Sequence, residues 1–197
     1  ERKARLSMYA GDQPHIRQAP LFLVWLADLA RLEQVATNAG EAHAALDYLE
    51  MLEVGFIDAS LAAQNAVAAA ESLGLGTVYI GGIRNQPEAV AAELQLPPRV
   101  VAVFGLCVGT PDPTQPAAVK PRPAQSVVLH HETYSLPAQA QGLADYDGAM
   151  AAFYASQGMK VRGAWSNHSA KRIRDAAALT GRDRLVEALN ARGFPLK

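Results

Sequence analysis

Apolar residues in this chain fall into runs of two lengths. Leu21-Phe22-Leu23-Val24-Trp25-Leu26 is continuous, short and bounded by Pro20 and Asp28. That pattern predicts a buried strand. Val100 to Val108 reads as a second strong strand, and Thr77 to Ile80 as a shorter one running into Gly81-Gly82. Ser126 to Leu129 is expected to be a further short strand. Helical spacing covers Arg2 to Tyr9, closed by Gly11, then Leu29 to Ala36, and then Gly142 to Gln157, where Leu143, Tyr146, Met150 and Phe153 share a face. Pro87 to Leu94 is helical too, with Asn85 as N-cap, Pro87 in the first turn and Pro97-Pro98 beyond the end. A final helix is expected from Ser169 to Leu189, with Gly193 past it. The longest helical stretch is residues 41–73, with Gly55 as a candidate break. Its second half, Asp58 to Leu73, is apolar almost all round, which predicts burial on most sides. Residues 109–125 carry Pro111, Pro113, Pro116, Pro121 and Pro123 and read as an extended loop. No repeat and no linker separates two cores, so residues 1–197 are expected to form one domain.

Composition narrows this picture. Half of the 197 residues are hydrophobic and 19% are charged, which is ordinary globular usage and argues against disorder. A formal net charge of -1 gives no global attraction to nucleic acid or to a membrane surface. The run from Pro20 to Ala27 is too short to span a bilayer. The balance conceals a basic C-terminal stretch: Gln157 to Lys197 holds nine bases and three acids. It reads either as a solvated helix surface or as a field attracting an anion such as a dinucleotide phosphate. Cys107 is the one cysteine and lies within an apolar run, so it reads as a packed thiol and cannot form an internal disulfide. A cytoplasmic location is expected. No signal peptide opens the chain; it starts without Met inside a helical segment, so an N-terminally truncated or processed form is expected.

Candidate chemistry sits at two places. Gly81-Gly82 closes a strand, and glycine lets backbone approach a flat ligand without a Cβ in the way. Exposed backbone N–H groups there could bond the polar edge of a flavin ring. The spacing is not G-x-G-x-x-G, and no glycine-rich phosphate loop opens a helix, which disfavours a Rossmann fold. In Val119-Lys120-Pro121-Arg122-Pro123, two cations flank a proline that restricts the backbone. The arginine fork and the lysine point charge suit phosphate or an anionic ring edge, and a solvated loop is the equal alternative. His130 and His131 are adjacent, so on a strand they face opposite ways and cannot share a metal. His168 reads as a packing or capping residue, and Asp58, Gln64 and Asn65 as hydrogen-bonded groups of the apolar helix. No nucleophile elbow is present.

The run Gln64-Asn65-Ala66-x3-Ala70-Glu71-Ser72-Leu73-Gly74-Leu75-Gly76-x2-Tyr79-Ile80-Gly81-Gly82-x-Arg84-Asn85 resembles the nitroreductase superfamily, in particular its NADPH-dependent oxygen-insensitive nitroreductases and flavin reductases. Phe104-Gly105-Leu106-Cys107-Val108-Gly109, Lys120-Pro121-Arg122, Tyr146-Asp147 and Trp165-Ser166-x-His168 follow in the expected order. The resemblance implies an α+β fold, a mainly antiparallel sheet wrapped by helices, and an intertwined homodimer with FMN at its interface. It implies that Gln13 contacts the flavin, that the backbone of Ile80, Gly81 and Gly82 lies against the ring, and that Lys120 and Arg122 sit near the flavin and its phosphate. Asp58 to Leu73 would form the centre of the dimer interface. Arg162 is the candidate substrate contact. Electrons would pass from NADPH or NADH to FMN and on to a small-molecule acceptor such as a nitroaromatic, a quinone or free flavin, with no side chain needed as a strong acid or base and no metal. Nucleic acid and membrane are not expected partners. The family's N-terminal phosphate-holding segment is missing here, which gives an alternative: a catalytically silent fragment that keeps the dimerisation core and binds flavin or a partner weakly. Gln157 stands where NADPH-preferring members carry arginine, so the choice of nicotinamide cofactor stays open.

Overall fold

The computed structural model describes residues 1–114, 118–161 and 163–197. The chain packs as two compact units, Glu1–Pro111 with Thr180–Lys197, and Asp112–Leu179.

The first unit is built on a three-stranded antiparallel sheet in the order β1-β3-β2, where β1 is Leu21–Asp28, β2 is Gly76–Ile80 and β3 is Val100–Gly109. The central strand β3 is buried along nearly its whole length. Its unbroken apolar sequence suits a strand covered on both faces. One face carries Val101 and Val103 against Leu52 and Ala59 of α4 (Leu49–Ser72) and against Phe194. The other carries Ala102 against Leu6 of α1 (Arg2–Tyr9) and Val90 of α5 (Pro87–Glu93). Further along, Leu106 and Val108 pack with Val67 of α4. Odd and even positions have therefore exchanged faces. The cause is a bulge: Trp25 pairs with Phe104 but Leu26 pairs with Ala102, leaving Val103 as the extra residue. A bulge shifts the alternation by one and leaves its extra residue outside the ladder.

Most expected elements form close to their predicted limits, α3 (Ala30–Ala39) among them, and a short helix that the spacing does not announce, α2 (Pro14–Gln18), precedes β1. Four differ. Gly55 does not break α4; a Cβ there would lie 3.2 Å from the Ala27 Cβ, so the glycine lets the helix close onto β1. Asn85 is not the N-cap of α5, a position held by Gln86. Ser126 to Leu129 is not a strand: Gln125–Val128 is a single helical turn, α6, closed by Leu129 N–H donating to Gln125 O at 2.8 Å. No strand pairs with it among the described residues, and local bonding satisfies its backbone instead. The expected final helix is interrupted. After α7 (Ala140–Ser156), α8 runs Trp165–Arg172 and α9 runs Leu185–Ala191, separated by short 3-10 turns. Asp175 Oδ1 accepts from Ala178 N–H at 2.9 Å, and Thr180 and Gly181 take left-handed backbone at φ 57° and 87°. These features end one helical path and start another.

The burial expected for Asp58 to Leu73 is not met within one chain. Leu52, Ala59, Ala63 and Val67 form the buried stripe of α4. Ile57 and Leu61 on other faces are 57% and 63% exposed.

The C-terminal stretch folds back onto the sheet. Phe194 is fully buried, Lys197 N–H donates to Asp47 O at 3.0 Å, and Lys197 Nζ and Arg99 Nη2 each reach the Asp47 carboxylate at 2.7 Å. The lysine hydrogen bond, then the arginine, holds the Asp47 carboxyl below the usual carboxylate range. A depressed folded value means that this contribution to stability is present above the unfolded carboxylate value, about 4, and is lost as pH falls through the folded one. Asp47→Asn is accordingly expected to flatten the acid limb of stability against pH. Urea unfolding between about pH 3 and 6 measures this, and a limb as steep as that of the parent chain would refute it.

In the second unit α6 packs on α7 at Gly142, where a Cβ would come within 2.4 Å of Val127 Cγ2. Tyr146 and Met150 form the buried side of α7. Tyr146 meets Trp165 edge-on with ring centroids 5.0 Å apart. Asp147 accepts from Ser166 N–H at 2.8 Å and Ser166 Oγ at 2.6 Å, which starts α8 and holds the Asp147 carboxyl low. His130 and His131 lie outside any strand, and the His130 ring meets that of Tyr134 at a tilt of 51°, with centroids 4.7 Å apart.

Candidate functional site: a glycine bend, a half-buried arginine and a pair of loop cations

In the first unit the site begins where α1 stops. Gly11 and Asp12 adopt left-handed backbone at φ 86° and 54°, and Asp12 N–H donates to Ser7 O at 2.8 Å. This cap reverses the chain and brings Gln13 to the start of α2, with Pro14 in its first turn. The turn is held from within. Ser7, fully buried, donates through Oγ to Gln13 O at 2.8 Å, and Arg17 Nη1 donates to Ser7 Oγ at 2.7 Å and also pairs with Asp12. On the outer side, Arg5 grips Glu93 through Nε and Nη2 at 2.7 and 2.8 Å, which ties α1 to α5.

Gln13 Nε2 then donates to Ala10 O at 2.9 Å. Both atoms press against Gly82: a Cβ there would lie 2.4 Å from Ala10 O and 2.7 Å from Gln13 Nε2. Only glycine fits at that distance. Four of the sequence-predicted site residues are thus brought together in this unit, namely Gln13, Ile80, Gly81 and Gly82. Ile80 directs its side chain into a core cluster with Ala10, Ile16 and Cys107 and pairs with Gly105 in the ladder, so its side chain is not available to a ligand. Gly81 opens outward; a Cβ at that position would meet only Arg84 Nη2, at 3.7 Å.

Arg84 is the residue for which the sequence reading had no role. Gly81–Arg84 is a 3-10 turn, in which residues three apart eclipse, so the guanidinium stands over Gly81. That spacing was the available signal. Arg84 Nη1 donates to the carbonyl of Val103, the bulge residue of β3. Burial, with Arg182 nearby adding like-charge repulsion, lowers the Arg84 pKa from the ordinary guanidinium value. Ser60, Gln64, Tyr79, Gly81, Arg84 and Phe104 line a cleft of about 420 Å³. Tyr79 and Phe104 meet edge-on at 5.2 Å on its wall. An uncovered glycine backbone, aromatic walls and a single charge suit the edge of a flat, electron-accepting ring.

In the second unit Lys120 and Arg122 are exposed, and neither has a hydrogen-bond or ion-pair partner among the described residues. The segment between them is fixed: Tyr146 Oη donates to Pro121 O at 3.2 Å. Two cations on an anchored loop can meet an anion with little ordering cost. Arg162 lies outside the described residues. Burial pushes the Cys107 thiol up, and its Sγ sits 3.8 Å from His15 O, the surroundings of a packed thiol. Among the described residues no cluster of His, Cys, Asp and Glu suits a metal, and no helix is long and apolar enough to cross a membrane.

The fold is that of the nitroreductases. The structure of the hypothetical oxidoreductase YcnD from Bacillus subtilis matches at a TM-score of 0.91 and 34% identity, over all of this chain and 78% of that one. NADPH:FMN oxidoreductase from Vibrio harveyi, solved with NAD+, matches at 0.84 and 33% identity, over all of this chain and 76% of that one. An oxygen-insensitive NADPH nitroreductase from Salmonella typhimurium is 39% identical over 185 residues, which cover 93% of this chain and 72% of the relative. The nitroreductase family profile matches residues 1–110, and the profile of the nitroreductase family C-terminal domain matches residues 120–197. The chain belongs to the nitroreductase family.

Proposed function

We propose that this chain is the flavin-binding body of an FMN-dependent NAD(P)H oxidoreductase that reduces nitroaromatics, quinones or free flavin, and that it works as a homodimer. The observation that carries the reading is the Gly81-Gly82 bend with Gln13 pressed against it. Gly81 presents bare backbone to a flat ligand, and the residues around it fit a flavin ring. The names of the relatives, an NADPH nitroreductase and an NADPH:FMN oxidoreductase, support the same chemistry.

When bound, FMN supplies the redox chemistry; the protein supplies binding, orientation and electrostatics. Backbone at Ile80, Gly81 and Gly82 holds the polar edge of the ring. The Gln13 carboxamide, fixed by its bond to Ala10 O, positions that edge. Lys120 and Arg122 neutralise the anionic parts of the group and favour negative charge gained on reduction. No side chain acts as a strong acid or base. Arg162 is assigned to substrate contact. The exposed Ile57 and Leu61 of α4 are the surface a second copy would cover, since apolar area of this kind seeks a partner.

The test is spectroscopic. Purified chain mixed with FMN and freed of excess is expected to be yellow and to bleach on addition of NADPH or NADH. A colourless protein that no amount of FMN reconstitutes would end this reading.

A further inference from the structure

We propose that Arg84 anchors the two-oxygen group of an aromatic electron acceptor, a nitro or carboxylate group, in the cleft beside Gly81. This rests on the reading of the Gly81-Gly82 bend as the cofactor contact and assigns the acceptor's place and chemistry within it.

The argument starts from cost. A half-buried cation is unfavourable unless something compensates it. Among the described residues no carboxylate lies within ion-pair distance of Arg84, and the charge beside it, Arg182, has the same sign. Its one hydrogen bond goes to a neutral carbonyl, Val103 O, through Nη1. Arginine has five N–H donors in a planar fork, so most of its capacity is left toward the cleft. Nη2 stands 3.7 Å from the position of a Gly81 Cβ, on the side where the bend is open.

The other lining residues favour the same ligand. Arg84 is the one charged residue among them. Ser60 Oγ is committed to Phe56 O at 2.7 Å, and Gln64 Oε1 accepts from Tyr79 Oη at 3.4 Å. The Tyr79 and Phe104 rings give the cleft an aromatic wall. A volume of about 420 Å³ accepts a single substituted ring. A flat ring with two coplanar oxygens matches an aromatic wall and a guanidinium fork better than a lone halide or an alkyl chain does.

The experiment compares the parent chain with Arg84→Gln and Arg84→Lys, each loaded with FMN. Turnover with NADPH is measured for p-nitrobenzoate and for menadione, a neutral quinone. Benzoate, which is not reduced, is titrated by calorimetry and by its effect on the flavin spectrum. Arg84→Gln is expected to weaken benzoate binding about tenfold or more. It is expected to lower kcat/KM for p-nitrobenzoate at least about fivefold further than for menadione. Arg84→Lys, which keeps the charge but not the fork, is expected to fall between. Equal losses for both acceptors with unchanged benzoate affinity would overturn the proposal and leave Arg84 a strut on Val103. If the parent chain takes up no FMN, the underlying reading fails separately. Benzoate calorimetry on the cofactor-free chain then still decides: binding weakened by Arg84→Gln supports the anchor, and no binding to the parent chain overturns it.

Discussion

Replacing Gly82 by alanine is expected to destabilise the first unit by about 1–3 kcal/mol, the usual cost of forcing extra volume into packed structure, and to weaken FMN binding at least about tenfold. The added methyl would stand 2.4 Å from Ala10 O and 2.7 Å from Gln13 Nε2. Neither neighbour yields easily. Ala10 is fully buried, and the Gln13 backbone is gripped by Ser7, itself locked by Arg17. The strain must therefore push the bend and the Gln13 carboxamide apart, and those are the groups assigned to the flavin edge. Urea unfolding gives the stability change, and titration of the cofactor-free protein with FMN gives the affinity. The idea fails if Gly82→Ala binds FMN as tightly as the parent chain.

Phe194→Ala is expected to have the largest effect on stability, about 3–5 kcal/mol. Phe194 is fully buried against Ala27, Leu29, Leu46 and Leu52, so truncation loses a large apolar contact and opens a cavity beneath the sheet. The same residue carries the C-terminal stretch onto that sheet, next to the Lys197–Asp47 pair. Because a domain is stable by only about 5–15 kcal/mol, the denaturation midpoint should fall steeply. A loss below about 1 kcal/mol would show that the stretch is not part of the core.

Much of this molecule is legible from its sequence, and the reasons are local. Strands β1 and β3 announce themselves because a strand covered on both faces must be apolar throughout. The Gly81-Gly82 bend is legible as a place of close approach. What stays hidden depends on partners distant in sequence. Residues 126–129 have strand composition, yet among the described residues no strand pairs with them, and a local helical turn satisfies their backbone instead. Residues 169–189 have helical composition, but Asp175 and Gly181 redirect the backbone. The α4 face around Ile57 and Leu61 reads as buried in sequence and is bare in a single chain. Arg84 was visible only as one motif letter, because its importance comes from the lack of a counter-charge beside it among the described residues, and composition cannot show what surrounds a side chain. The placing of Gln13 against Gly82 could not be read from spacing either, since the two are far apart along the chain and meet through the turn that Ser7 fixes.

The irregularity in β3 has a consequence of its own. One surplus residue, Val103, puts the two halves of the strand out of phase, and its carbonyl is the one to which Arg84 donates. A change that removed the surplus residue would shift the acceptor that seats the guanidinium, so the irregularity in the scaffold and the positive charge at the mouth of the cleft are tied to one another.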